Sequence, residues 1–324
     1  MLTPRMYYTD TTGGSPFAKD PDVIRFGDRY LMYYTIRTPD CLAVGIAASD
    51  DLDRWERVGE VTPEMEIERK GLAAPAALVH EGRVHLFYQS YGTGPRDAIC
   101  HAVADDGLRF ERDPSNPVFR PTGDWTCGRA IDADIVRHGD RWLLYAATRD
   151  PNMRVQMLTA ARAPAECSFS RDCWTQVADR PILRPELDWE RDCIEAPTVC
   201  ERGGVLYMFY AGAYNNEPQQ IGVAVSRDGI EWTRLSDRPL LPDGAPDEWN
   251  ASESGHPGLF VDDDGATHLF FQGNRTDGAD WYLSRMRVEW ERGLPYLVRP
   301  RDGRQFRIEA PPQGLDDAWV CISK

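Results

Sequence analysis

Five stretches of this chain can be written beneath one another, and that repetition restricts the fold more than any other property of the sequence. DPDVIRFGDRYLMYYT opens at Asp20, APAALVHEGRVHLFYQS at Ala74, DADIVRHGDRWLLYAAT at Asp132, APTVCERGGVLYMFYAG at Ala196 and HPGLFVDDDGATHLFFQG at His256. Each has a small or proline-containing start, a short apolar run, a polar turn and a second run rich in aromatics. The turns FGDR, HEGR, HGDR, ERGG and DDDGA supply the Gly and Asp that adopt positive φ in tight hairpins. Short runs rich in Tyr, Phe, Val and Leu between such turns are strands, not helices. A second hairpin unit follows, in GIAASDDLDRWERV, HAVADDGLRFERD and GVAVSRDGIEWTRL, with a looser copy, MLTAARAPAECSFSRDCWTQV, that carries an insertion in its turn. Each period of roughly 60 residues therefore holds four short strands.

The pattern predicts an all-β fold, a five-bladed β-propeller with four antiparallel strands per blade. A β-sandwich would not explain why the two hairpin types alternate in fixed order. The chain, 1–324, reads as a single propeller domain with blades starting near 20, 74, 132, 196 and 256. Residues before Asp20 are expected to help close the ring, and the tail 299–324 to pack on the last blade.

Composition narrows the partners. Net charge is −15, so phosphate backbones and anionic lipid are repelled, and neither nucleic acid nor a membrane surface is an expected partner. No apolar stretch is long enough to span a bilayer. The start MLTPRMYYTDTTGG lacks a basic segment followed by an apolar one, so no export signal is visible and a cytoplasmic location is expected. The eight cysteines, at 41, 100, 127, 167, 173, 193, 200 and 321, contain no Cys-x-x-Cys pair and are expected to be reduced, mostly buried thiols.

The residues that open the inner strands ring one mouth of a propeller's axis. Here those positions differ: Asp20 in blade 1, Ala74 in blade 2, Asp132 in blade 3, Glu195 one residue ahead of the Ala-Pro of blade 4, and His256 in blade 5. Three carboxylates facing one pocket suit glycoside cleavage, in which one protonated carboxyl protonates the leaving oxygen and another activates water or attacks carbon. A third carboxylate nearby raises the acid's pKa by like-charge repulsion. Singly, each acid reads better as a turn cap than as a catalytic group; jointly, at homologous openings, they point to catalysis.

KDPDVI, AIDADIV and IEAPTV, in that order, resemble glycoside hydrolase family 43, one of the five-bladed propeller glycosidase families that also include the family 32 fructan enzymes. The resemblance spans residues 15–290. It implies an inverting hydrolase of arabinofuranosidic or xylosidic bonds in oligosaccharides, with Asp20 the general base, Glu195 the general acid and Asp132 the pKa modulator. It also places a histidine, here His256, near the axis beside a bound calcium or water. No cofactor is required beyond that optional structural calcium, which His256 would touch through water. Ala133 stands where proline is common, and blade 2 lacks a tryptophan often found there. The family 32 signatures are missing, which disfavours invertase-like chemistry.

Around the acids, Phe17, Tyr91, Trp125 and Tyr214 occupy loops at inner-strand ends, where an aromatic face stacks on a sugar ring. Arg129 and Arg275 are placed to pair with a carboxylate or a sugar hydroxyl, and Asn215 to bind hydroxyls. The alternatives to a pentosidase are a fructan- or other furanoside-processing hydrolase or transferase, and a propeller that binds carbohydrate without catalysis. A phosphorylase ranks lower, because no cluster of Arg, Lys and His is evident at one blade mouth. Oligomeric state is not legible.

Overall fold

A computed structural model describes residues 4–275 and 279–308 and contains the five blades in a ring. A short strand, β1 (Tyr7–Tyr8), precedes them. Blade 1 is β2–β5 (Ala18–Phe26, Arg29–Arg37, Leu42–Ser49, Glu56–Val61) and blade 2 is β6–β9 (Leu72–His80, Arg83–Ser90, Ile99–Ala104, Glu111–Arg112). Blade 3 is β10–β13 (Ile131–His138, Arg141–Arg149, Gln156–Pro164, Thr175–Gln176) and blade 4 is β14–β17 (Ile194–Arg202, Val205–Gly212, Gln220–Ser226, Thr233–Arg234). Blade 5 is β18–β22 (Glu253–Val261, Thr267–Asn274, Tyr282–Glu291, Leu294–Val298, Gln305–Arg307). Every blade is an antiparallel meander. Among the described residues the helical content is three single 3₁₀ turns, and none is long and apolar enough to cross a membrane.

The ring closes at both ends of the chain. Strand β1 pairs with β20 through Tyr7–Ser284 and Tyr8–Leu283, while β21 pairs with the far half of β20 and β22 pairs with β21. The segment before Asp20 and the start of the tail thus both join blade 5. The remainder of the expected tail contact, from residue 309, and Cys321 lie outside the described residues. The seven described cysteines are free.

The core is five wedges, one between each pair of neighbouring blades. Period-2 alternation along β3 sends Leu31 and Tyr33 into the wedge with blade 2 and Met32, Tyr34 and Ile36 into the wedge with blade 5. Both faces are buried, so these strands read as continuous apolar runs. Blades are also tied by tyrosine hydroxyls, which donate from Tyr33 to the Gly107 carbonyl (2.8 Å), Tyr145 to Gly229 (3.0 Å) and Tyr207 to Gly293 (2.8 Å).

One local device recurs in all five inner strands. Pairing with the second strand breaks for two residues, between Lys19 and Asp22, Ala73 and Ala76, Ile131 and Asp134, Glu195 and Thr198, and Gly255 and Gly258. The first residue of each bulge is left-handed: Asp20 (φ 52°), Ala74 (43°), Asp132 (52°), Ala196 (48°) and His256 (42°). Such bulges re-aim a side chain, here toward the axis, at a backbone cost that non-glycine residues bear only where the surroundings enforce it. Two positions further on, Asp22, Asp134 and Thr198 pin the next blade by accepting hydrogen bonds from the amides of Ala77 (2.6 Å), Val199 (2.8 Å) and Leu259 (2.9 Å).

In blade 5 that position is Gly258. A Cβ there would lie 2.0 Å from the Pro21 carbonyl oxygen of blade 1, and backbone cannot yield as a flexible side chain does. Gly258→Ala should therefore push apart the strands that carry His256 and Asp20 and destabilise the fold by roughly 2–4 kcal/mol. Denaturant unfolding measures this, and a change within a few tenths of a kcal/mol would refute the close packing at ring closure.

Candidate active site

The bulges deliver Asp20, Asp132 and His256 to one hollow. Glu195, one residue before the bulge in its own strand, reaches the same place. All four are buried or nearly so and line a cavity of about 420 Å³. The imidazole of His256 stands between the expected base and acid: Nδ1 is 2.8 Å from Asp20 Oδ1 and Nε2 is 3.1 Å from Glu195 Oε1. Asp132, Glu195 and His256 present ligand-type atoms within 4.8 Å of one another.

Amides and hydroxyls from neighbouring strands fix this group. Three residues on the same rung of successive second strands accept the bulge amides of the next blade. They are Gln272 for Asp20 (3.0 Å), Thr35 for Ala74 (2.8 Å) and Gln89 for Asp132 (2.6 Å). Thr35 also donates to Asp20 Oδ2 at 2.5 Å. Glu195 accepts from Gln219 Nε2 (2.7 Å) and from Gln156, whose Oε1 accepts in turn from Arg149 Nε (2.7 Å) and an Arg129 terminal nitrogen (3.3 Å). Asp132 Oδ2 is buried without a hydrogen-bond partner among the described residues. By contrast Glu68 and Glu190, also fully buried, are each saturated by a tyrosine, an arginine and two backbone amides. They hold loops.

The charges are unequal. Burial alone would raise Asp20, but His256, with help from Lys19 and Thr35, brings it down to about 2. Burial likewise opposes ionisation of Glu195, yet His256, Gln219 and Lys19 hold it below the ordinary glutamate value. Burial raises Asp132 to about 7; His256 opposes this, while the carboxylates of Glu195 and Asp20 add to it. His256, despite its burial, is drawn well above the usual imidazole value by Asp20, Glu195 and Asp132. Among the three acids the raised carboxyl is therefore Asp132, whereas the like-charge argument from the sequence expected it to be the acid, Glu195. A specific contact, the imidazolium on Glu195, outweighs the like-charge repulsion.

This has a measurable consequence. Asp132 has a folded pKa above its unfolded one, so the stability linked to its proton is complete below about pH 4 and is lost as pH climbs through about 7. Asp132→Asn cannot ionise. It should match wild type near pH 3 and be more stable near pH 8 by roughly 3–4 kcal/mol. Thermal melts across that range check it; equal melting temperatures at pH 8 would refute the raised carboxyl.

Of the other expected site residues, Phe17, Tyr91, Arg129, Tyr214 and Asn215 line the cavity. Their surroundings refine their use. The Phe17 ring is covered by the Arg37 guanidinium (4.3 Å) and Tyr214 lies under Arg149 (5.0 Å), while Tyr91 is exposed and free to face a sugar. Arg129 is paired with Asp97 (3.2 Å), and Asn215 accepts from Lys19 Nζ (2.7 Å). Trp125 and Arg275 do not line it: Trp125 packs over Gly123, and Arg275 is exposed. Both sit in loops that strand pairing does not aim. Lys19, Arg37 and Arg149 do line it and escaped sequence reasoning, as did the glutamines. A comparison of the aligned repeats rung by rung contains their signal, since Thr35, Gln89 and Gln272 stand where blades 3 and 4 have Ala147 and Ala211.

The axial calcium expected beside His256 would have Asp132, Glu195 and His256 as its candidate ligand group, while Asp22, Asp134 and Thr198 each spend one oxygen on a backbone amide.

The matches to known proteins agree with this architecture. A 1,2-beta-oligomannan phosphorylase of Thermoanaerobacter sp. is 26% identical over 164 residues (46% of this chain, 52% of that protein), and a beta-xylosidase of Xylanibacter ruminicola 25% over 150 (46% and 36%). An uncharacterized protein of Mycobacterium tuberculosis is 25% identical over 207 residues (59% and 65%). The alignments thus span about one third to two thirds of these relatives. A thermostable family-43 glycoside hydrolase superposes with a TM-score of 0.72 at 21% identity, covering 94% of this chain and 99% of its own. The family description "Glycosyl hydrolases family 43" matches residues 14–293, which hold blades 1 to 4, the first three strands of blade 5 and the four side chains at the hub, and the chain belongs to that family.

Proposed function

We propose that this protein is an inverting glycoside hydrolase that cleaves arabinofuranosidic or xylosidic bonds in small oligosaccharides. Asp20 acts as general base on water, Glu195 as general acid and Asp132 as the group that tunes and loads the acid. The observation that carries the reading is the His256 bridge between Asp20 and Glu195 in one sugar-sized cavity. Two carboxyls on opposite nitrogens of one imidazole stand roughly 7 Å apart, within the range of about 6.5–9.5 Å that leaves room for a water in inversion. Asp20, held low, is ionised at neutral pH as a base must be. The proton required by Glu195 resides nearby on His256 or Asp132 and passes to it when substrate displaces water. The beta-xylosidase relative supports a pentoside substrate.

The oligomannan phosphorylase relative supports a second reading, in which phosphate replaces water as nucleophile. One screen separates them: nitrophenyl pentosides and hexosides and arabino- and xylo-oligosaccharides, with and without phosphate, product anomers read by NMR. Phosphate-independent release of the inverted sugar from pentosides supports the first reading. Retention, or no cleavage of any glycoside, overturns it.

A further inference from the structure

The chain carries a net charge of −15, yet the mouth of its cavity is cationic. At the base, Asp20 and Glu195 are matched by His256 and Lys19, and Arg129 is matched by Asp97. Arg37 and Arg149 have no such match: among the described residues neither makes an ion pair, although both line the same hollow as the acids.

Their placement follows from the repeat. Arg37 ends β3 of blade 1 and Arg149 ends β11 of blade 3, two residues beyond Thr35 and Ala147 on the second strands. Tyr91 holds the same rung in blade 2, where its exposed hydroxyl has no hydrogen-bond partner among the described residues. Each guanidinium is oriented by an aromatic face, Arg37 by Phe17 and Arg149 by Tyr214, and Arg149 is further held by Gln156. This leaves the terminal N–H donors of both guanidiniums, and the Nε–H of Arg37, free for charge-assisted bonds to phosphate or carboxylate, while Arg149 Nε is taken by Gln156. Neutral sugar hydroxyls do not call for two uncompensated arginines; an anionic group does.

We propose that Arg37, Tyr91 and Arg149 form an oxyanion subsite at the cavity mouth that binds a phosphate or carboxylate group beside the acids. The group is either inorganic phosphate or an anionic substituent on the glycoside. The proposal takes from the hydrolase reading that the sugar lies against Asp20, Asp132 and Glu195 and, where free phosphate is the nucleophile, that Glu195 is the acid. If free phosphate is the source, its oxygen attacks the anomeric carbon, the glycosidic C–O bond breaks, Glu195 gives its proton to the leaving oxygen, and a glycosyl phosphate is released.

Calorimetric titration of the full chain with inorganic phosphate tests the subsite without any turnover. Wild type should bind saturably, and R37Q and R149Q should each weaken binding about tenfold, since a charge-assisted hydrogen bond contributes at least that factor. R37Q is the cleaner variant, because Arg149 also reaches Glu195 through Gln156. Glycosyl phosphate formed from neutral glycosides, lost in R37Q, identifies free phosphate as the ligand. A higher KM in R37Q for uronic or phosphorylated glycosides only, with no phosphorolysis, identifies the substituent. Absence of saturable phosphate binding by wild type, or binding indifferent to both substitutions, overturns the subsite. If no neutral glycoside is cleaved while phosphate binding is lost in the variants, the hydrolase reading fails and the subsite stands.

Discussion

Asp20→Asn should lower kcat by about 10³- to 10⁴-fold, and by the same factor on activated and unactivated glycosides. The exchange is nearly isosteric. An asparagine oxygen still accepts from Thr35, and the bulge amide of residue 20 still donates to Gln272, so the side chain stays aimed at the axis. What disappears is a carboxylate that His256 keeps ionised throughout the neutral range. A base that activates water acts on the nucleophile, so its loss is blind to the leaving group. The measurement is kcat on a series running from dinitrophenyl glycosides to a natural disaccharide, with near-UV circular dichroism to confirm the fold. Residual activity within tenfold of wild type, or a loss that grows as the leaving group worsens, would remove Asp20 from the role of base.

The repeat made the propeller legible because each of its signals is local. Hairpin turns, strand length and the fixed alternation of two hairpin types lie within a few residues of one another. Asp20, Asp132 and His256 were legible for a related reason: at one repeated position three blades carry ionisable side chains and two carry alanine. The sequence did not reveal the backbone that makes this position special. Five residues of unlike chemistry share a left-handed φ, forced by the ring of inner strands and not by their own preferences.

What remained hidden depends on register. Whether Arg37 or Arg149 faces the cavity is decided by pairing across a bulge two residues long, which period-2 counting does not anticipate. The role of His256 was hidden too, because a bridge between carboxylates that stem from different blades is a tertiary fact. The same bridge inverted the expected electrostatics, holding Glu195 low and leaving the raised pKa to Asp132. Trp125 and Arg275 fall away from the cavity for the opposite reason. They are close along the chain to an inner-strand end, but no ladder fixes where their loops point, so nearness in sequence does not become nearness in space.

Glu195→Ala should show the other dependence. Loss of a general acid matters in proportion to how much the departing oxygen needs a proton. Oligosaccharides with sugar leaving groups should slow by about 10³-fold, while dinitrophenyl glycosides, whose leaving group departs unprotonated, should slow by no more than about tenfold. Alanine strands Gln156, Gln219 and His256 without their shared acceptor, so Glu195→Gln serves as the control that keeps the packing and removes the transferable proton. Both variants should give a much steeper dependence of log kcat on leaving-group pKa than wild type, whereas Asp20→Asn leaves that slope unchanged. The contrast between a uniform drop and a changed slope assigns the two carboxyls on either side of His256 to different ends of the reaction. Parallel slopes in all three variants would mean that Glu195 is not the proton donor, and Asp132, whose raised pKa leaves it protonated up to about pH 7, would then take that role.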